Sequence, residues 1–427
     1  MKSTFRNFSR KQREIIEDAA REAESRGYSA YLVGGCVRDL LLNQSNLDVD
    51  ITIEGDSCKV ASSLADKKNG KLKIYPQFQT TTLTFANDLR VDIAMTRKET
   101  YASPGALPKV RRGGLQEDLF RRDFTINAMA VQIHPQDKGT LIDPYHGYED
   151  LKGKKIRILH DQSFRDDATR ILRAIRFEQR LHFQIERKTF SLLKWAVKEG
   201  YLRTVSAQRN AVEFKKMLCE KEPLACLNRL RKICGTGFLF GKDLDFGVVA
   251  GLYRRVRSGR LKSAIHSDET TLFYLLAIAE QLNVKQREGL AKNFQLTKIA
   301  AECVFNIDNY LRVLRKIENS QLSSSAVYEL ARNFPLPAIV YLQLRTNSQR
   351  ATRALEFYQR KSSTVRTSLT GDDLRKMGVV DGQRIGRLLK EVLFKKIDGQ
   401  LGSREKEEAY IRLSLAKSAP RSDKGGE

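Results

Sequence analysis

The chain carries the stretch Tyr31-Leu32-Val33-Gly34-Gly35-Cys36-Val37-Arg38-Asp39, followed by Leu47-Asp48-Val49-Asp50-Ile51-Thr52-Ile53-Glu54. The first part is an apolar run, a glycine pair and a mixed run, which is typical of a strand, a tight turn and the start of a helix. The second part alternates apolar and polar residues, the pattern of a strand with one buried face. Together they predict a small unit in which strands and helices share one core.

The alternation places Asp48 and Asp50 on the same side of the second strand. Two carboxylates on one exposed edge repel each other unless a cation such as Mg²⁺ lies between them. An ordinary amphipathic strand gives the same pattern, and it is the preceding glycine turn that favours a metal site. At Gly35, free N–H groups and the positive helix end would hold a phosphate, and Arg38 would add a charge-assisted contact. The combination predicts a triphosphate and metal site.

A third carboxylate comes from a predicted hairpin. Residues 80–85 and 89–94 read as two strands, joined by a polar turn at Asn87-Asp88. Asp92 alternates with apolar neighbours in the second of them. Three carboxylates from adjacent strands suit two-metal phosphoryl transfer, whereas a plain surface aspartate is the alternative for Asp92 alone.

A charged triplet, Arg121-Arg122-Asp123, precedes the apolar run that continues to Met129. We predict that this run is a helix, with Asp123 and Asn127 one turn apart on the same face. The arginines would then grip a phosphate or a base. A solvated helix start explains the charges equally well.

A long amphipathic helix is predicted over residues 164–177, with apolar residues on one face. A carboxylate beside a guanidinium can satisfy the Watson–Crick edge of a base, so this helix could select a nucleotide without a template. A surface ion pair between neighbouring turns is the alternative. The polar face carries Asp167, Arg170, Arg173 and Arg176.

The composition points to a polyanionic partner. The chain has 427 residues, and its 76 Lys+Arg against 51 Asp+Glu give a net charge of +25 and a pI near 9.8. Such an excess is typical of nucleic-acid binding. A membrane surface is the rival, but we find no signal peptide, lipidation signal or long apolar run, and expect a soluble, cytoplasmic protein. The cysteines and histidines show no zinc-ligand spacing.

Five motifs occur in order between about residues 30 and 220. Together they resemble the class II tRNA nucleotidyltransferase and bacterial poly(A) polymerase family of the polymerase-β superfamily. The motifs are Gly34 to Asp39 with Asp48-Val49-Asp50, then Arg121-Arg122-Asp123, then Asp143 to Leu151, then Asp166 to Arg170, and finally Arg209 to Leu218.

The resemblance implies an α+β fold: a nucleotidyltransferase head with a mixed sheet (1–155), then a helical neck for nucleotide selection (156–230), a helical body (231–330) and a helical tail that binds tRNA (331–427). It implies that Asp48 and Asp50 hold Mg²⁺, that Gly35 and Arg38 lie at the triphosphate, and that Asp92 is the third acidic residue. The family usually has Glu where this chain has Asp166. The implied nucleotide-binding set is Arg122, Asp123, Asn127, Asp167, Arg170, Arg173 and Arg176.

By resemblance the activity is template-independent addition of nucleotides to the tRNA 3′ end from ATP and CTP, with release of pyrophosphate. Residues 97–110 resemble a flexible loop of enzymes that add the terminal A, and both A addition and full CCA addition stay open. The alternatives are a poly(A) polymerase, and an RNA-binding protein without catalysis, against which Asp48, Asp50 and Asp92 argue. Neither DNA nor a membrane is expected as a partner. Basic clusters expected to contact folded RNA are Arg254 to Arg257, Arg345 with Arg350 and Arg353, and residues 384–396.

Overall fold

The computed structural model describes residues 4–44, 48–86, 89–134, 138–258 and 267–417. The chain divides into two compact units, Met1–Leu244 and Asp245–Glu427. The first unit combines strands with helices, and in its described residues the second unit is helical. The predicted α+β class is therefore confirmed. The finer division into head, neck, body and tail stays a prediction.

The described strands of the first unit form three separate sheets. Seven strands make one mixed sheet in the order β3-β4-β5-β2-β1-β8-β9, while β6 pairs with β7 and β10 with β11. In chain order the strands are β1 (Ala30–Val33), β2 (Val49–Ile53), β3 (Lys71–Tyr75), β4 (Thr80–Thr84), β5 (Arg90–Met95), β6 (Arg97–Thr100), β7 (Lys109–Arg112), β8 (Ala130–Gln132), β9 (Leu141–Ile142), β10 (Lys155–Ile156) and β11 (Gln184–Ile185).

The centre of the large sheet sets the geometry of the site. Strands β2 and β5 run parallel, and their register places Asp50 directly beside Asp92. Strands β4 and β5 form the antiparallel hairpin that the sequence predicts. Its expected turn, Asn87-Asp88, lies outside the described residues, as does Leu47. Ile51 and Ile53 are at most 1% exposed, and burial of each such side chain contributes about 1.5–3 kcal/mol.

Helices cover the sheet and lie at its strand ends. The first begins where Ser9 and Gln12 form a reciprocal capping box. The second follows strand β1, as predicted, but it already begins at Gly35 instead of after the glycine pair. The helices in this part are α1 (Arg10–Glu24), α2 (Gly35–Leu41), α3 (Ser57–Lys68), α4 (Leu115–Phe120) and α5 (Gly147–Lys152).

The remainder of the first unit is mainly helical. The single helix predicted over 164–177 is wrong, because the backbone is extended at Asp167 (φ −139°, ψ 98°) and divides it in two. The short strand β11 departs from the helical neck expected over residues 156–230. Pro223 begins a helix, a position where its fixed φ and missing N–H are tolerated. The helices are α6 (Ser163–Asp166), α7 (Thr169–Leu181), α8 (Arg187–Lys198), α9 (Ala207–Leu218), α10 (Pro223–Cys234) and α11 (Gly237–Phe240).

The second unit packs its helices around apolar clusters, one of which includes the fully buried Leu374, Val392 and Ile411. No helix in the described part of the chain is long and apolar enough to cross a membrane. The helices are α12 (Gly247–Arg257), α13 (Ser267–Ala279), α14 (Val284–Asn293), α15 (Lys298–Phe305), α16 (Ile307–Asn319), α17 (Ser324–Ala331), α18 (Leu336–Arg345), α19 (Gln349–Arg360), α20 (Gly371–Lys376), α21 (Gly382–Ile397) and α22 (Arg404–Lys417).

Candidate active site

A cavity of about 580 Å³ opens between the Gly34-Gly35 turn, the start of β2 and helix α7. Its lining is rich in arginine, which suits an anionic ligand. All the predicted site residues line it except Asp92. They are Gly35, Arg38, Asp48, Asp50, Arg122, Asp123, Asn127, Asp167, Arg170, Arg173 and Arg176.

The predicted acidic residues meet at the centre of the sheet. Asp48 is exposed and Asp50 is partly buried, so the fully solvated edge expected for both holds only for Asp48. Asp92 accepts a hydrogen bond from Thr82 Oγ1 at 2.6 Å and pairs with Arg90 Nη2 at 2.9 Å. Asp92 therefore faces Asp50 across the strand pair while its charge is already compensated.

Asp50 has the environment of a cation ligand. Burial raises its pKa to about 6, and the charges of Asp92 and Asp48 add to the rise, against the lowering effect of Arg122. No described residue donates a hydrogen bond to its carboxylate. A hard divalent cation would relieve both the burial and the repulsion, so Asp48 and Asp50 fit Mg²⁺ chemically. Among the described residues no group of three His, Cys, Asp or Glu is arranged to hold a metal by itself.

The glycine turn brings the backbone close to an arginine. Gly34 has a φ of +69°, which favours glycine. A Cβ atom at Gly34 would lie 2.5 Å from Arg122 Nη1. Arg38 was expected to contact a phosphate, but its Nε and Nη2 donate to Asp39 at 2.7 and 2.8 Å, and its Nη1 donates to Asn127 Oδ1 at 2.6 Å. Arg38 is only 3% exposed, and these contacts make it part of the cavity wall.

The helix predicted from Arg121 to Met129 is wrong. Helix α4 ends at Phe120, and the apolar run forms a short 3-10 turn, Thr125–Asn127, before strand β8. The expected neighbours still meet, because Asn127 Nδ2 donates to Asp123 Oδ1 at 2.9 Å. A long helix is replaced because this run enters the large sheet, where its apolar side chains are buried.

Asp123 is a buried carboxylate in the cavity wall that pairs with Arg173. It accepts hydrogen bonds from Arg173 Nε at 2.8 Å and pairs with Arg173 Nη2 at 2.6 Å. Burial acts to raise its pKa, but the Arg173 charge and the Asn127 hydrogen bond outweigh it and lower the pKa to about 2. Asp123 is therefore a carboxylate that is fixed in place, which suits positioning better than proton transfer.

The break between α6 and α7 determines how Asp167 is presented. Its Oδ1 accepts from Thr169 N at 2.9 Å and Thr169 Oγ1 at 2.6 Å, and pairs with Arg209 Nη2 at 2.9 Å. Its Oδ2 accepts no hydrogen bond from any described residue. Asp167 thus accepts hydrogen bonds from Thr169, the first residue of α7, and has one carboxylate oxygen to offer to a ligand.

Arg170 is held independently of Asp167. Its side chain is buried, with Nη1 donating to Ser163 Oγ at 2.6 Å and Nη2 to the Arg121 carbonyl at 2.6 Å. The alternative of a surface ion pair between Asp167 and Arg170 is therefore wrong. Asp166 lies 3.9 Å from His160 Nε2, and burial raises the pKa of its carboxyl.

Several residues that the sequence analysis did not assign hold these groups in place. Asp118, which is fully buried, pairs with Arg121 and Arg122, each at 2.8 Å. Glu213 on α9 lies 3.4 Å from Arg173. The four-residue spacing of Arg209 and Glu213 puts both on one face of α9, and this spacing could have identified them from the sequence. Arg176, further along α7, pairs with Glu220 at 3.0 Å.

Two family models match the first unit. One, described as the poly(A) polymerase head domain, matches residues 30–157. The other, described as a probable RNA- and SrmB-binding site of polymerase A, matches residues 182–233.

Two curated relatives are A-adding tRNA nucleotidyltransferases. That of Geobacter sulfurreducens is 34% identical over 95% of this chain and 47% of its own length, so the chain spans about half of that protein. That of Halalkalibacterium halodurans is 32% identical over 82% of this chain and 80% of its own length.

A solved structure, the Thermotoga maritima CCA-adding enzyme complexed with tRNA, is also similar. It matches with a TM-score of 0.73 at 31% identity, over 97% of this chain and 98% of that one. Because relatives of one kind match both units, the chain belongs to the family of tRNA nucleotidyltransferases and bacterial poly(A) polymerases.

Proposed function

We propose that the chain is a template-independent nucleotidyltransferase that adds the terminal A to the 3′ end of tRNA from ATP, with release of pyrophosphate. One observation carries the proposal: a single cavity joins the carboxylates Asp48 and Asp50 to the nucleotide-selecting candidates Asp167 and Arg170. The names of the two relatives favour A addition. We expect it to act in the cytoplasm, without a membrane or DNA partner.

Addition of the whole CCA sequence from CTP and ATP is the second candidate. The observation that favours it is the match to the Thermotoga maritima CCA-adding enzyme over nearly the full length of both chains. The two candidates share the cavity and differ in how many nucleotides are added.

Asp48 and Asp50 would hold Mg²⁺, with Asp92 as the third carboxylate beside them. When bound, the metal supplies charge neutralisation for the triphosphate and makes the RNA 3′ hydroxyl more acidic. The protein itself keeps Asp50 partly buried and free of competing hydrogen bonds, so that its carboxylate is available to the cation.

Arg122 and the backbone N–H groups at the glycine turn would bind the triphosphate. Arg122 lies against Gly34, and the absence of a side chain there leaves its guanidinium room. Gly35 opens helix α2, whose first N–H groups point away from the helix and can donate to a phosphate oxygen. Arg38 and Asn127 would support this surface from behind through their mutual hydrogen bond.

Asp167 and Arg170 would read the base. The free Oδ2 of Asp167 can accept from the exocyclic amino group that adenine and cytosine both carry, which uracil lacks. The N–H groups of Arg170 that are not bonded to Ser163 or Arg121 can donate to a ring nitrogen or a base carbonyl. Arg173 and Arg176 would hold helix α7 in place through their ion pairs with Asp123, Glu213 and Glu220.

The basic surface would bind the tRNA backbone, although the structure narrows the set of arginines. Arg345 pairs with Glu280 at 2.8 Å, and Arg255 donates to the Thr346 carbonyl at 2.7 Å. Both therefore already have partners within the second unit. Arg353 and Arg387 are exposed and better placed to contact phosphates.

The test is a product-length assay. Purified protein is incubated with tRNA transcripts that lack CCA, lack only the A, or end in CCA, and each nucleotide is supplied singly and in pairs. A addition predicts extension by one residue, with ATP, of the transcript that lacks A. Restoration of CCA on the shortest transcript would select the second candidate. A long A tail would indicate a poly(A) polymerase, and no extension of any transcript would refute the proposal.

A further inference from the structure

An aromatic pair, one ring exposed and the other partly buried, lies on the surface of the first unit. Trp195, the only tryptophan of the chain, is 45% exposed on helix α8. Its indole meets the ring of Tyr201 edge-on, with the ring centroids 5.4 Å apart. At this exposure, part of the Trp195 indole is accessible to a further partner. Neither ring lines the nucleotide cavity.

Basic side chains lie beside this pair. Lys198 follows Trp195 by three residues and so lies on the same face of α8. Arg203 ends the short 3-10 turn that begins at Tyr201. Neither forms an ion pair with any described residue, and together they outweigh the charge of Glu199 in the same helical turn. Positive charge next to an open ring is the combination that binds single-stranded nucleic acid, through its phosphates and bases respectively.

Contacts connect the aromatic pair with the Asp167 end of the nucleotide cavity. Thr204 Oγ1 donates to the Tyr201 carbonyl at 2.8 Å. The Gly105 backbone packs on Thr204, since a Cβ atom at Gly105 would lie 2.5 Å from Thr204 Oγ1. Arg209 then donates to the Gly105 carbonyl at 2.9 Å and pairs with Asp167 at 2.9 Å. The pair is thus only a few contacts from the cavity that a 3′ end must reach.

We propose that Trp195 and Tyr201, with Lys198 and Arg203, form a stacking surface for unpaired bases near the 3′ end of the RNA substrate. The inference rests on the RNA substrate proposed above. Stacking is tolerant of sequence, because every base has a π face. An exposed aromatic patch can also bind a protein. Lys198 favours RNA, because lysine is depleted at protein interfaces, whereas it contacts phosphates in nucleic-acid binding sites.

The fluorescence of Trp195 reports this surface directly, because the chain has no other tryptophan. The full-length protein is titrated at fixed salt with a single-stranded RNA of six nucleotides, and binding is followed separately by the anisotropy of a labelled copy. Stacking predicts that the emission is quenched in step with binding. Unchanged emission at saturation would overturn the inference and leave a protein as the better occupant of the rings.

Variants test the same point through affinity. Trp195→Ala should weaken binding of the RNA by about 5- to 150-fold, the loss of one stacked base, with the salt dependence unchanged because no charge is removed. Trp195→Phe should keep most of the affinity. The matched control is Tyr75→Ala, an aromatic residue 38% exposed elsewhere in the same unit, which should leave binding unchanged.

The outcomes separate this inference from the proposed function. If the wild-type protein extends tRNA and Trp195→Ala binds RNA within twofold of it, the stacking surface is refuted and the activity stands. If the wild-type protein extends no tRNA but its fluorescence is quenched by RNA, the activity is refuted and the surface stands. Should Trp195→Ala fail to fold, the wild-type fluorescence titration still decides.

Discussion

Replacing Asp123 by Asn tests the buried ion pair that ties helix α7 to the cavity wall. Asp123 is 8% exposed, and both Nε and Nη2 of Arg173 lie within 2.8 Å of its Oδ2. Breaking a buried pair costs about 3–5 kcal/mol, because one charge is left uncompensated. Arg173 keeps Glu213 at 3.4 Å, so we expect the lower end, about 3 kcal/mol at pH 7.

The pH dependence of this loss follows from the lowered pKa. Folding lowers the pKa of the Asp123 carboxyl from an ordinary 3.8 to about 2, and this difference contributes about 2 kcal/mol to stability. A carboxyl group with a depressed pKa stabilises the fold above its unfolded pKa and loses that contribution as the pH falls towards its folded pKa. The difference in the free energy of unfolding between wild type and Asp123→Asn should therefore fall by about 1 kcal/mol as the pH is lowered from 7 to 3.

Urea unfolding at pH 7, 5 and 3 measures both quantities. Trp195 lies in the same unit, so its fluorescence follows the unfolding of that unit. The matched control is Glu14→Gln, which removes the exposed pair between Glu14 and Arg10 and should leave the free energy of unfolding nearly unchanged. A loss below 1 kcal/mol at pH 7, or a difference between the two proteins that does not narrow in acid, would show that this ion pair does not stabilise the fold.

Three further predictions concern the ligands. Asp167→Ala should reduce discrimination against UTP by roughly tenfold to a hundredfold in single-turnover incorporation, because the acceptor for the amino group is lost; an unchanged preference would move base reading elsewhere. Arg353→Ala should lower tRNA affinity and reduce the slope of log K against log salt by about one; an unchanged slope would exclude a phosphate contact. Gly34→Ala should impair nucleotide addition by displacing Arg122, whereas Gly27→Ala, with a similar φ of +71° but open space around it, should strain the backbone and spare activity. Equal activities of the two glycine variants would contradict the role of the turn.

The local patterns predicted the sheet and the acidic site well. Strict alternation in residues 48–53 identified β2, and the hairpin pattern identified β4 and β5. Once β2 and β5 pair, Asp50 lies beside Asp92. Such signals lie within a few residues of one another. They survive folding because burial of one strand face fixes the register.

The errors came from residues whose surroundings are set by distant parts of the chain. The apolar run after Asp123 looks helical, but its position inside the large sheet makes part of it strand β8. Asp167 fits a helical pattern, but its backbone is extended between two helices, where its side chain accepts hydrogen bonds from Thr169 and pairs with Arg209. Asp118 has helical spacing to Arg121 and Arg122, but its complete burial, which makes the pairs structural, depends on the tertiary fold.

The most direct test of the account compares nucleotide addition by the wild type and Asp50→Asn on tRNA that lacks only the terminal A, with ATP and Mg²⁺. Loss of a metal ligand should remove several kcal/mol of transition-state stabilisation, so we expect the rate to fall by at least about a hundredfold. Binding of the tRNA should persist, because the basic surface is unchanged. Extension by Asp50→Asn at a rate within tenfold of the wild type would contradict the assignment of this cavity as the active site.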